Sequence, residues 1–244
     1  GVQTCALPIC SRLLRLARVE GDPLRVLAAP AALLPAGPLA SRAEIGFVDT
    51  PPGPDGTRRA VPLVVRIGDA LHPSLSLCAL MAYWQAGADD VTVRLGDSVE
   101  VRGRLGSARI PLDEAGLYWV NFRHGVEDLV SYGYSQALAQ LADRYERKPG
   151  RVPQFTGRIV LVGQTAAGQM DLAPTPLAAQ TPLVLVHANA LENFLAGDYL
   201  RRVPPAWIWL GMALAGAACV WRFAERGLRE HAIAAAGVPV VFVL

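Results

Sequence analysis

The sequence contains little charge and no arrangement of cysteine and histidine that could hold a metal ion. Charged residues make up 18% of the 244 positions, and the formal net charge is only +2. A chain with so weak a positive field is not expected to bind nucleic acid. Its four cysteines form no C-x-x-C pair and no Cys/His spacing typical of zinc sites. We therefore predict small buried cysteines, no metal and no cofactor.

Charge is missing altogether from a long stretch near the C-terminus. The run 203–221 has no charged residue, and at helical rise it would extend for about 28 Å. Trp207, Trp209 and Trp221 lie near its two ends, where interfacial aromatic residues occur in membrane proteins. We predict a transmembrane helix over 203–221, with a buried core helix as the alternative.

The two ends of the sequence carry further expectations. Residues 1–9 read GVQTCALPI without an initiating Met and look like a translated sequencing adapter, so we exclude them from the fold. The stretch 222–230 contains three arginines and is expected to form a short cytoplasmic hinge. The apolar run 231–244 is expected to begin a second transmembrane helix that the sequence does not complete.

Residues 25–200 have the pattern of one folded α/β domain. Apolar residues at helical spacing predict helices over 74–85, 135–147 and 184–196, and Gly197 is a suitable residue to end the last of these. The fold class that we predict is α/β, a single mixed-sheet domain flanked by helices and followed by transmembrane helices.

Short runs of alternating or β-branched residues predict the strands of this domain. The runs 45–48 and 60–67 are joined by the turn-rich string PPGPDGTRR and are expected to form a hairpin. The continuous run RIVLV at 158–162 predicts a buried central strand. Half-exposed strands are expected at 91–95, 99–101 and 117–122.

A glycine-containing loop follows the predicted central strand but lacks the features of a nucleotide site. Gly163 and Gly168 have the outer spacing of a P-loop, yet the residues that follow are Gln169 and Met170 rather than Lys and Ser or Thr. Without a lysine for the phosphate or a hydroxyl for magnesium, we interpret the string as a glycine-rich turn, with a small-ligand cradle as the alternative.

Two polar strings are candidates for a ligand site. Asp171 and Thr175 lie in the proline-stiffened loop DLAPTP, and His187 and Asn189 open the next helix. These strings are expected to lie near each other at the carboxyl edge of the sheet, where ligands bind in many α/β folds. Their side chains form either a polar binding site or structural hydrogen bonds that secure the loop.

A third candidate string is Asn121 to His124. The guanidinium of Arg123 has the shape to bind an anion or a carboxylate, with Asn121 beside it, although a structural bridge between loops is the alternative. The sequence contains no nucleophile elbow, no H-E-x-x-H string and no paired-carboxylate motif, so no catalytic residue is predicted.

Together these strings resemble the type-two CHASE domain, a cyclase- and histidine-kinase-associated sensory extracellular domain. The resemblance covers about residues 25–200. It is carried in order by IGFVDTPPGPDGTRRAVPL at 45–63, PSLSLCALMA at 73–82, IPLDEAGLYWVNFR at 110–123, FTGRIVLVGQTAAGQMDLAPTPL at 155–177 and VHANALENFLAGDYL at 186–200.

The resemblance implies a bacterial receptor in the cytoplasmic membrane, with its sensor domain in the periplasm or outside the cell. It would respond to an unidentified small molecule or envelope signal, contact membrane lipid, act as a homodimer and relay its signal to a cyclase or kinase module. The chain itself would not be an enzyme. Two alternatives are a membrane-tethered enzyme with a site at Asp171, His187 and Asn189, and a membrane scaffold or assembly protein.

Overall fold

The computed structural model describes residues 14–30, 43–145, 157–165, 171–200, 203 and 205–223. The chain divides into two units, Gly1–Leu200 and Arg201–Leu244. The first unit has mixed α/β architecture, as predicted.

The strands are short and are numbered in chain order. They are β1 (Arg18–Glu20), β2 (Ala60–Pro62), β3 (Val64–Ile67), β4 (Ala70–Pro73), β5 (Val91–Arg94), β6 (Ser98–Arg102), β7 (Ser107–Pro111), β8 (Leu117–Trp119), β9 (Leu172–Ala173) and β10 (Thr181–Pro182). The helices are α1 (Leu75–Trp84), α2 (Tyr134–Tyr145), α3 (Val184–Ala196) and α4 (Pro205–Phe223).

The first unit contains a mixed sheet in the order β1-β5-β6-β7. β1 runs parallel to β5, whereas β5, β6 and β7 form an antiparallel meander. Val91, Val93, Val99 and Val101 are fully buried, and the residues between them face the opposite side. This alternation reflects the two-residue period of a strand with one face on the core, and it confirms the strands predicted at 91–95 and 99–101.

The predicted hairpin between 45–48 and 60–67 is wrong. β2 pairs with β8, and β3 turns back at once to pair with β4. Gly68, with φ 56°, opens the two-residue connection between β3 and β4, a tight turn that favours a hairpin over the longer connection from 48 to 60. Phe47 instead forms a single parallel bridge to Ser74.

The helices α1 and α3 confirm their predictions and pack against each other. The Ser74 hydroxyl accepts a hydrogen bond from Leu77 N at 3.3 Å and so caps the first turn of α1. α3 ends at Gly197, which has φ 68°, a conformation that glycine adopts without the steric cost of a Cβ. α2 covers nearly the range predicted for it.

The string RIVLV at 158–162 is not a buried central strand. No strand is assigned there, and the side chains of Val160 and Val162 are 51% and 79% exposed. Ile159 and Leu161 pack against the core. Only alternate residues of the run contact the core. A continuous run of apolar residues therefore does not mean here that both faces of the segment are buried.

α4 covers most of the predicted membrane span. Among the residues that the structure describes, no helix combines the length and the apolar character needed to cross a membrane, so the span predicted over 203–221 is not supported. The predictions for 1–9 and 231–244, and for 222–230 beyond Phe223, lie outside the described residues.

Candidate functional site

α3 carries buried polar side chains on two of its sides. His187 and Asn189 are 3% and 1% exposed. Residues two apart on a helix point about 200° away from each other, so these two cannot share one partner. Five of the six predicted site residues accordingly fall into two groups, and Thr175 lies outside both. We call them the histidine cluster (Val48, Ser76, Asp171, His187) and the asparagine cluster (Asn121, Arg123, Asn189, Asn193, Asp198).

In the histidine cluster, the imidazole of His187 links α3 to α1 and to the segment that precedes β2. His187 Nε2 lies 3.1 Å from Val48 O, and Nδ1 lies 2.8 Å from the hydroxyl oxygen of Ser76. Because a carbonyl oxygen only accepts, Nε2 carries the proton, and Nδ1 accepts from the Ser76 hydroxyl. Both ring nitrogens are therefore bonded within the protein.

Burial lowers the pKa of His187 below its ordinary value. The hydrogen bond to Val48 and the charge of Asp171 act in the opposite direction, but the loss of hydration is the larger effect. The imidazole is consequently neutral at neutral pH and serves as a hydrogen-bonded connector.

Asp171 and Thr175 lie in the loop that leads to α3. The backbone carbonyl of Asp171 accepts from Leu183 N at 3.0 Å, and the Asp171 side chain is half-buried. The Thr175 hydroxyl lies 2.7 Å from that of Thr181, and Leu177 N donates to Thr175 Oγ1 at 3.3 Å. Thr175 thus stabilises the turn between β9 and β10, and its role in ligand binding stays a prediction.

In the asparagine cluster, Asn189 secures the chain that follows β8. Its Oδ1 accepts from Arg123 N at 2.9 Å and from His124 N at 3.0 Å. Its Nδ2 donates to His124 O and to Leu185 O, both at 2.9 Å. The amide thereby uses its full capacity of two acceptor and two donor positions on backbone groups.

One helical turn later, Asn193 repeats the arrangement. Its Oδ1 accepts from Tyr118 Oη at 3.0 Å and from Asn121 N at 2.9 Å, and its Nδ2 donates to Asn121 O at 3.0 Å. The backbone of residues 121–124, which we call the 121–124 segment, is therefore bonded to side-chain amides of α3 as a strand is bonded to a neighbouring strand.

The side chains of the same segment reach Asp198, just beyond α3. Asn121 Nδ2 donates to Asp198 Oδ2 at 3.0 Å, and Arg123 Nη2 lies 2.6 Å from the same oxygen. His124 Nε2 lies 3.0 Å from Glu192 Oε1. The guanidinium of Arg123 is thus bound to a carboxylate of its own chain, and its predicted contact with an external anion stays a prediction.

Sequence reasoning missed Asn193 and Asp198. It offered structural hydrogen bonds as one role of Asn189, but it placed them at the loop that contains Asp171 and Thr175 and not at the backbone of Arg123 and His124. One local signal was available. Two asparagines four residues apart lie on the same side of a helix, and in α3 they are surrounded by apolar residues. Buried amides need partners, which indicates a polar strip along α3.

A groove lies on the solvent-facing side of the mixed sheet, away from both clusters. This groove of about 430 Å³ is bordered by residues of β1, β5 and β6. Arg94 lies between Glu20 and Glu100, at 3.1 Å and 2.7 Å. The hydrogen bond from Arg94 lowers the pKa of Glu100. Because these charges offset each other, the groove presents no strong field of one sign.

Comparison with known proteins assigns the chain to a family. A family model described as the CHASE2 domain matches residues 11–221. The chain belongs to the CHASE2 family. This match confirms the resemblance drawn from the sequence. Members of the family are extracellular sensory domains and are not catalytic. No curated protein and no solved structure matches the chain.

The geometry of this CHASE2 domain bears on the alternative of an enzyme with a site at Asp171, His187 and Asn189. His187 and Asn189 point to different parts of the fold and direct their polar atoms to backbone and hydroxyl groups. General acid–base work requires groups that converge on one reacting atom. Asn189 does not converge with His187 in this way.

Proposed function

We propose that this CHASE2 chain is the signal-input domain of a bacterial receptor in the cytoplasmic membrane. The domain lies in the periplasm or outside the cell and relays a stimulus to a cyclase or kinase module. The observation that carries the proposal is the match of residues 11–221 to a family of extracellular sensory domains. Homodimer formation and a small-molecule or envelope stimulus belong to the same proposal.

Attachment to the membrane rests on family membership and not on α4. No helix among the described residues is long and apolar enough to cross a bilayer.

The arrangement of α3 supports a relay. Its His187 side is bonded to Ser76 of α1, and its Asn189 and Asn193 side is bonded to the 121–124 segment. α3 ends only a few residues before the boundary between the two units at Leu200. A stimulus shifts such an arrangement only if it binds two states of it with different affinity.

A chimaeric receptor tests the relay without knowledge of the stimulus. The whole chain replaces the sensor domain of a bacterial receptor that ends in an adenylate cyclase, in a host without its own cyclase. Leu80 is fully buried, so Leu80→Asp disrupts the core, because an unpaired charge is very costly inside a protein. Leu105 is 67% exposed, and Leu105→Asp is the matched control.

The sensor proposal predicts that Leu80→Asp changes the basal cyclic-AMP level per receptor molecule, whereas Leu105→Asp leaves it unchanged. Receptor amounts are equalised by immunoblot. Equal output from both variants and from the unmodified chimaera would show that the domain does not control an attached module.

A further inference from the structure

The chain leaves the first unit through a short turn, residues 197–200, which we call the exit turn. Its backbone continues from α3 through Gly197, and Asp198 N donates to Asn193 O at 3.0 Å. This bond closes the end of the helix. Tyr199 follows, its ring edge-on to that of Tyr118 with centroids 6.2 Å apart.

The 121–124 segment holds this turn from the side. Asp198 accepts from Asn121 and Arg123, which are side chains of the segment. Asn193 binds the backbone of the segment and also provides the carbonyl that Asp198 N contacts. A movement of the segment away from α3 breaks its backbone bonds to Asn193. The same movement breaks the bonds from Asn121 and Arg123 to Asp198.

One ion pair connects the segment to the exit turn. Arg123 and Asp198 form this pair, with side chains 59% and 33% exposed. Beside it, His124 Nε2 lies 3.0 Å from Glu192 Oε1. A partly exposed pair of this kind contributes little to global stability, so it is suited to restrain a local opening and not to hold the fold together.

We propose that Asp198 is a clamp through which the 121–124 segment restrains the exit turn and thereby sets the output state of the receptor. The inference rests on the proposed sensory function. It assigns positioning roles to Asn121, Arg123 and Asp198, and it makes the 121–124 segment the part of the sensor that communicates with the chain beyond Leu200.

Hydrogen exchange of the full chain measures the restraint. Arg123→Ala is expected to raise exchange in peptides that contain Gly197 and Asp198 by about 1.5-fold to fivefold, the size of a lost partly exposed pair. Exchange in β5 and β6 should not change. Arg102→Ala is the matched control, because Arg102 also pairs with a carboxylate, Glu100, but lies on the mixed sheet.

Exchange of the two charges shows whether the effect comes from the ion pair between Arg123 and Asp198 or from a general loss of packing. Asp198→Asn should raise exchange at the exit turn as Arg123→Ala does, and the double variant Arg123→Asp with Asp198→Arg should return it toward the original rate. Unchanged exchange at 197–198 in Arg123→Ala, or an equal rise throughout the chain, would overturn the clamp.

The chimaeric receptor provides the second readout. The clamp predicts that Arg123→Ala changes basal cyclase output and that the charge exchange reverses the change. If Leu80→Asp alters output but Arg123→Ala does not, the clamp is wrong and the sensory function stands. If neither variant alters output, the sensory function itself fails.

Discussion

Removal of the Asn193 amide is the sharpest test of the asparagine cluster. Asn193→Ala deletes three hydrogen bonds, to the hydroxyl of Tyr118 and to the N–H and carbonyl of Asn121. The side chains of Tyr118 and Asn193 are 1% and 2% exposed, whereas Asn121 is half-buried. Water can therefore replace the amide at Asn121 more easily than at Tyr118.

The expected cost follows from these exposures. A buried group left without a partner costs about 1–3 kcal/mol, and a typical hydrogen bond contributes about 1 kcal/mol net. With the larger cost at Tyr118 and about 1 kcal/mol at each Asn121 group, Asn193→Ala should lower the free energy of unfolding by about 3–5 kcal/mol. Such a loss is a large part of the about 5–15 kcal/mol that stabilises a typical domain.

Urea unfolding of the full chain, followed by pulse proteolysis, measures this cost. Tryptophan fluorescence is unsuitable because Trp207, Trp209 and Trp221 of α4 would add to the signal from the first unit. Leu195→Ala is the control, since Leu195 lies on α3 but is 46% exposed. A loss below about 1 kcal/mol for Asn193→Ala, or one equal to that of the control, would refute the reasoning.

Three further predictions concern the histidine cluster and the start of α3. Because burial depresses the folded-state pKa of His187, the contribution of His187 to stability is complete above about pH 6.5 and falls as the pH drops below that value, by at most about 1.4 kcal/mol per pH unit. Urea unfolding between pH 7.5 and 5 should show that the free energy of unfolding depends less steeply on pH in His187→Gln than in the original chain. An equal dependence on pH in both proteins would contradict the burial argument. Ser76→Ala should lower the free energy of unfolding by about 1–2 kcal/mol, because it leaves His187 Nδ1 without a donor. In the original chain, nitrogen NMR at neutral pH should show a neutral His187 imidazole that is protonated at Nε2. A Cβ at Gly163 would lie 2.5 Å from Val184 Cβ and 2.8 Å and 2.9 Å from its two Cγ atoms, so Gly163→Ala should cost about 1–3 kcal/mol in thermal and urea unfolding. Val184→Ala in the same chain removes the two Cγ atoms but keeps Cβ, and it should therefore recover only part of that loss.

The elements that could be predicted from the sequence are those determined by local signals. Ser74 and Gly197 act on the turn next to them, and helical or two-residue periodicity reports directly which side of α1, α3 or β5 faces the core. These interactions involve residues close in the chain, so a short window of sequence contains them.

The pairing of strands and the contacts of the site involve residues far apart. Asn193 binds Asn121 across 72 positions, and Asn189 binds His124 across 65. Nothing in the string NFRH indicates that its backbone would be bonded by side-chain amides in place of another strand. The prediction of a buried strand for RIVLV is wrong for a similar reason, because β-branched composition does not specify whether distant strands pair with the segment.

The most direct test of the central claim, that this CHASE2 chain is a sensor domain outside the cytoplasm, is a measurement of which side of the membrane it occupies. Leu105→Cys, at an exposed position, is introduced into the natural gene together with Cys10→Ser and Cys219→Ser. Spheroplasts are then treated with a membrane-impermeant maleimide before or after lysis. Cys78 remains unreactive, because burial raises the pKa of its thiol to about 12, and the strain without the Leu105 change gives the background. The account predicts equal labelling of the Leu105→Cys protein in intact and lysed spheroplasts. Labelling that occurs only after lysis would place the domain in the cytoplasm and contradict the account.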